Sequence, residues 1–168
     1  MPPEPGEHPS IQPVAIERSL LESIYRQARA SFPNECCGWL AGPRIGNVAT
    51  DIHPCVNDQD SGNHPTVADR TAERAYVFSA ADLLELNRTL DGDHPPLAIY
   101  HSHPNGQAYF SPTDRQVAAS PWADGPAYPV QQLVVGIDER RVVEAALFAW
   151  SDDDDGFVEL LRYEGAAL

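Results

Sequence analysis

The apolar run Leu97-Ala98-Ile99-Tyr100 passes directly into His101-Ser102-His103-Pro104, and no other junction constrains the chain as much. Four consecutive apolar residues read as a buried strand. Side chains two apart on a strand point the same way, so His101 and His103 project from one face, at the end where Pro104 stops the strand. Shortly downstream, Ser111-Pro112-Thr113-Asp114 adds a hydroxyl and a carboxylate at a spacing that suits a catalytic metal site. In such a site three protein ligands leave one zinc position open for water. The same four residues fit a helix start, with Ser111 as N-cap, Pro112 at the first helical position and Asp114 at N3, ahead of a helix over 113 to about 119. The two readings are compatible, because a capped helix holds Asp114 rigidly.

The rest of the chain supplies a frame for that junction. Apolar Ile16, Leu20, Leu21, Ile24, Tyr25 and Ala28 recur at helical spacing and predict a helix over 16–30, ended by Phe32-Pro33-Asn34. Residues 36–41 read as a short strand, with 45–56 as its antiparallel partner across a turn at Gly42-Pro43-Arg44. Residues 57–74 are polar, Asp-rich and aperiodic, a loop of the length that is usually functional or mobile. Tyr76-Val77-Phe78 reads as a short extended piece. Ser79 is expected to cap a helix through about Leu90, with Asp82 as its capping-box acid. After the site strand and helix, 120–129 reads as a second long loop, where Trp122 and Tyr128 either line a substrate groove or cover the core edge. Strands follow over 130–137 and 142–150, joined by a turn at 138–140, and a last strand over 157–163 follows a solvated loop at Asp152–Asp155. Residues 1–9 are Pro- and Glu-rich and read as a disordered tail, leaving a single domain over 10–168. This order implies an α+β, three-layer domain in which helices flank a mixed central sheet.

The spacing of the chemistry-bearing residues resembles the JAMM (MPN+/Mov34) family of zinc metalloproteases, which cut peptide and isopeptide bonds after ubiquitin-like proteins. Its signature is a distant Glu, then His-x-His-Pro, then Ser-x-x-Asp. Here these are Glu35, residues 101–104 and residues 111–114. The stretch Pro33-Asn34-Glu35-Cys36-Cys37-Gly38-Trp39-Leu40 is similar to the family's first strand in its short prokaryotic form. The resemblance implies a cytidine-deaminase-like sheet and a zinc ion held by His101, His103 and Asp114. A water on such an ion reaches a pKa of about 7. It also implies Glu35 as the proton-transferring carboxylate and Ser111 as a hydrogen-bond donor to the oxyanion. The implied substrate is a ubiquitin-like or sulfur-carrier protein, cut after its C-terminal Gly-Gly. The spacing leaves peptide and isopeptide bonds equally open. A non-catalytic MPN-type scaffold is the alternative, weakened because such relatives usually lose metal ligands. A deaminase would need a His-x-Glu and Pro-Cys-x-x-Cys arrangement, which is absent.

Other residues carry blander expectations. Cys36 and Cys37 are adjacent, so a strand sends them to opposite faces and they cannot share one metal. Cys37 shares parity with Glu35 but reads as a small buried apolar side chain, and Cys55 as isolated and structural. His8, His53, His64 and His94 read as ordinary surface residues, with His64 a remote candidate for substrate contact. Ser102, between the two imidazoles on the opposite face, has no expected chemical role. Twenty-five acids face eleven basic residues, all of them Arg, for a formal net charge of -14. That balance argues against nucleic acid or an anionic membrane as partner. It fits a protein adapted to high salt, and equally a GC-rich genome that favours Arg over Lys. Three cysteines make no disulfide framework, no run approaches a membrane span, and the first residues lack a secretory signal, so a cytoplasmic location is expected.

Overall fold

A computed structural model describes residues 11–62, 64, 67–122 and 124–168; the expected tail over 1–9 and His8 lie outside the described residues. The chain runs α1 (Arg18–Ser31), β1 (Cys37–Ala41), β2 (Asp51–Cys55), a 3-10 turn (Gln59–Ser61), α2 (Ala80–Thr89), β3 (Pro96–His103), α3 (Pro112–Ala118), β4 (Gln131–Ile137), β5 (Val142–Ser151) and β6 (Gly156–Ala166). The strands form one six-stranded sheet in the order β2-β1-β3-β4-β5-β6. Only β3 and β4 pair in parallel, and the crossover between them carries α3. The sheet is therefore mixed, as expected.

Helices cover both faces, which explains why the central strand β3 is apolar without alternation. On one face α1 lays Leu21, Ile24, Tyr25 and Ala28 against Leu40, Ala98, Tyr100, Leu133, Val135 and Leu147. The Tyr25 hydroxyl donates to the Glu164 carbonyl at 2.8 Å, fastening α1 to β6. On the other face the apolar surface is divided. Leu86 of α2 packs with Cys37, Trp39, Cys55, Ile99 and Val130, while Phe110, Val134, Ala146, Phe148 and Phe157 form a separate cluster. His101 pairs in register with Cys37 on one side and Val134 on the other, so the imidazoles emerge in the gap between these clusters.

Several boundaries differ from expectation. The second strand begins at Asp51 rather than near Ile45. Gly46 and Asn47 adopt positive φ (104° and 54°), and Val48 bridges Ala15 instead of β1, so 42–50 form a long connection with Ile45 exposed. The last strand runs on to Ala166, because β5 offers partners along its whole length. At α2, Ser79 Oγ accepts from Asp82 N at 3.2 Å, but Asp82 turns its carboxylate to the Ser79 hydroxyl rather than completing a capping box. Cys36 and Cys37 do face opposite clusters. Cys55, expected to be isolated, is the cross-strand partner of Cys37. His53 is not an ordinary surface residue: it stacks on Trp39 at 4.0 Å and lies 3.4 Å from Asp82. His64 is buried, its Nδ1 accepting from Val67 N at 3.1 Å. Tyr128 packs against the Leu86 cluster and Trp122 is exposed; neither lines the cavity described below. Among the described residues, no helix is long and apolar enough to cross a membrane.

Candidate metal centre

The tip of β3 brings His101 and His103 to one face, their Nε2 atoms 3.1 Å apart. Asp114 Oδ2 meets both, at 3.2 Å from His101 and 3.1 Å from His103. Asp114 reaches this position because Ser111 starts α3 with a full capping box: Ser111 Oγ accepts from Asp114 N at 3.1 Å, and Asp114 Oδ2 accepts from Ser111 N at 3.0 Å. The Ser111 hydroxyl proton stays available to a ligand. Glu35 stands just before β1, buried, with a carboxylate oxygen within 4.8 Å of a ring nitrogen of each histidine. All five residues singled out in the sequence meet in one place. Ser102 points away, its Oγ accepting from Cys36 N at 2.8 Å on the opposite face.

The electrostatics call for a cation. His103 Nδ1 lies 3.2 Å from the Gln107 carbonyl, which can only accept, so Nδ1 carries a proton and Nε2 is the atom turned inward. There Nε2 faces a carboxylate oxygen and a second imidazole nitrogen. Burial pushes His101 below its ordinary value, although Asp114 pulls the other way. Three atoms converging at this spacing need a positive charge among them, as a shared proton or as a metal ion. A tetrahedral zinc ion with nitrogen and oxygen ligands has ligand–ligand edges of about 3.3–3.4 Å, close to the 3.1–3.2 Å spacing here. The residues present fit zinc in donor type, number and spacing. One partner is missing: among the described residues, none hydrogen-bonds the buried His101 Nδ1.

The two carboxyls are driven in opposite directions. Burial raises both, but at Asp114 the adjacent imidazoles outweigh it and hold the group well below the usual carboxylate range. Glu35 gains no such partner. Burial first, then the Asp114 charge, push it up from 4.5 to about 9, against a smaller opposing pull from Arg70. Such splitting marks a pair in which one carboxylate stays charged and the other trades a proton.

A cavity of about 460 Å³ opens over these groups, with Glu35, His103, Ser111 and Asp114 in its wall. Tyr76 stacks on His101 at 4.5 Å, and Tyr109 flanks His103 at 4.9 Å. Sequence reasoning missed both rings, as well as the amides of Asn57 and Gln59. Asn57 Nδ2 donates to the carbonyls of Glu35 at 3.0 Å and Ala75 at 2.9 Å, which fixes the backbone on both sides of the cavity. Tyr109, two residues before Ser111, carries no signal beyond that position.

Gly136 of β4 lets the segment after His103 lie flat on the sheet. A Cβ there would sit 2.7 Å from the backbones of Gly106 and Gln107. Gly136→Ala is expected to cost about 1–3 kcal/mol by overpacking, read as a lower urea midpoint. An unchanged midpoint would mean the segment is not seated on β4.

The model for prokaryotic homologs of the JAB domain matches residues 17–150 of this chain. Proteins named CysO-cysteine peptidase from Mycobacterium bovis and Mycobacterium tuberculosis are 34% identical over 110 residues, 64% of this chain and 67% of theirs. The solution structure of a Desulfitobacterium hafniense protein aligns with a TM-score of 0.59 at 21% identity, over 86% of this chain and 88% of that one. One from Salinibacter ruber aligns at 0.56 and 19%, over 86% and 87%. At these identities the two structures speak to the fold alone. Together with the Glu, His-x-His-Pro and Ser-x-x-Asp positions, the family match is decisive: the chain belongs to the prokaryotic homologs of the JAB domain, the short prokaryotic branch of the JAMM/MPN proteins.

Proposed function

We propose that this protein is a zinc-dependent peptidase that hydrolyses the bond following the C-terminal Gly-Gly of a sulfur-carrier protein. The observation that carries the reading is the meeting of His101 Nε2, His103 Nε2 and Asp114 Oδ2 within 3.2 Å of one another, with Glu35 beside them. The likeness to the CysO-cysteine peptidases supports the choice of a carrier protein as substrate.

His101, His103 and Asp114 would hold the zinc. Bound there, zinc supplies Lewis acidity and lowers the pKa of water to about 7. Glu35 takes a proton from the attacking water on its carboxylate and passes it to the leaving nitrogen. Overall the amide C–N bond breaks, hydroxide adds to the glycine carbonyl carbon, and the amine leaves with the proton. Ser111 donates its hydroxyl to the carbonyl oxygen as negative charge develops there. Gln107 holds His103 in its tautomer through Nδ1. Tyr76 and Tyr109 wall the approach to the imidazoles, which favours residues as slim as glycine at that point.

The direct test loads the protein with zinc, verifies one ion at this centre by mass spectrometry, and follows CysO-cysteine cleavage by intact mass. Turnover that is lost on chelation and restored by zinc is expected. No cleavage by the loaded protein would overturn the assignment. For Ser111→Ala, removal of the oxyanion donor is expected to lower kcat about 10²–10³-fold. The lost N-cap should cost about 0.5–2 kcal/mol of stability. A melting shift with normal kcat would leave Ser111 as a cap only.

A further inference from the structure

The cavity wall carries two arginines that the hydrolytic chemistry leaves unused, Arg70 and Arg74. The chain has 25 acids against 11 arginines, and Arg18, Arg88 and Arg162 pair with carboxylates. Among the described residues, Arg70 and Arg74, like six other arginines, come within 4.0 Å of no carboxylate, but these two lie in the cavity wall. Arg70 is half-buried, and its Nη1 donates instead to the hydroxyl of Thr113 at 3.2 Å, one residue before Asp114.

The segment that bears this guanidinium is built rather than loose. Gln59, fully buried, donates Nε2 to the carbonyls of Val67 and Arg70, at 2.9 Å each. Asp60 accepts from Ala72 N at 3.0 Å, and Glu35 N donates to the Ala72 carbonyl at 2.7 Å. One set of hydrogen bonds therefore fixes the backbones of Glu35 and Arg70 relative to each other, and the Thr113 hydroxyl holds the guanidinium. A preorganised guanidinium offers a planar pair of N–H donors that matches a carboxylate.

We infer that Arg70, with Arg74 beside it, is the subsite for the free α-carboxylate of the residue released after the scissile bond, so that the enzyme removes a C-terminal amino acid from the carrier rather than cutting an isopeptide bond. The inference rests on the peptidase reading above. In an amino-acid leaving group the carboxylate lies one carbon from the departing nitrogen, and so must sit beside Glu35 and Thr113, where Arg70 stands. A lysine side chain of a folded protein brings no carboxylate to that place.

Binding without turnover isolates the claim. Zinc-loaded Glu35→Gln protein is titrated calorimetrically with the mycobacterial CysO-cysteine conjugate and with the same conjugate capped as its C-terminal amide. The free acid should bind about 10- to 100-fold tighter, the size expected for charge-assisted hydrogen bonds. Adding Arg70→Ala, with its fold checked by circular dichroism, should erase that preference. Equal affinities for acid and amide, or a preference that survives Arg70→Ala, would overturn the subsite. An Arg70→Ala loss that is the same for acid and amide would place Arg70 against the body of the carrier and overturn it as well. Failure to bind either conjugate would instead remove the carrier-peptidase reading, and the subsite with it.

Discussion

Glu35→Gln is expected to remove hydrolysis while leaving zinc bound. The substitution keeps the volume and deletes the titrating oxygen, and general acid–base groups of this kind contribute about 10²–10⁴ in rate, so kcat should fall by at least that factor. His101, His103 and Asp114 are untouched, so metal content by mass spectrometry should equal that of the parent. Normal turnover would take Glu35 out of the mechanism. The same variant has a second readout in metal-free protein. There Glu35 is raised from 4.5 to about 9, so the folded state holds its proton more tightly than the unfolded chain. Between those values the folded state binds more protons, and stability falls as pH rises. The contribution is complete below 4.5 and lost above about 9. Melting temperatures of metal-free parent protein should decline across that window, and Glu35→Gln should flatten the decline. A parallel decline in the variant would trace it to other groups.

Asp114→Ala should lose the metal and with it all turnover. The carboxylate is the one negatively charged member of the trio, and it also completes the reciprocal cap of α3. Two effects therefore coincide, and Asp114→Asn separates them. The amide can still accept from Ser111 N but brings no charge to the imidazoles. Asn is thus expected to retain most of the helix stability, while Ala loses about a further 1 kcal/mol. Both should show metal occupancy far below stoichiometric in equilibrium dialysis. Full zinc occupancy in either variant would refute the ligand assignment.

How much of this was readable in advance follows from where each signal resides. The tip of β3 was legible because its information is local: an apolar run, a two-residue spacing and a terminating proline. The start of α3 was legible for the same reason, since a capping box is written in four consecutive residues. The α1 face at 21, 24, 25 and 28 is likewise a periodic signal. The length of the first hairpin was not legible, because it depends on positive φ at Gly46 and Asn47 and on a bridge to Ala15. The order in 57–62 and 67–76 was hidden too. It comes from the side-chain amides of Asn57 and Gln59 reaching distant carbonyls, and a polar residue that satisfies backbone looks in sequence like one that satisfies water. The stacking of His53 on Trp39 and the burial of His64 were hidden for the same reason, since remote neighbours leave no mark in the adjacent residues.

The seven residues of α3 bury none of their number fully. The helix is moored by polar links instead: Asp114 to the imidazoles, and Arg115 to the carbonyls of Phe110 and Phe157 at 3.2 and 2.9 Å. Segments with few buried apolar contacts open well below the global unfolding free energy. This wall of the cavity is therefore expected to open before the sheet does, and whatever neutralises Asp114 should also tighten it. Loss of a bound metal and breathing of the entrance are then expected to be a single linked equilibrium.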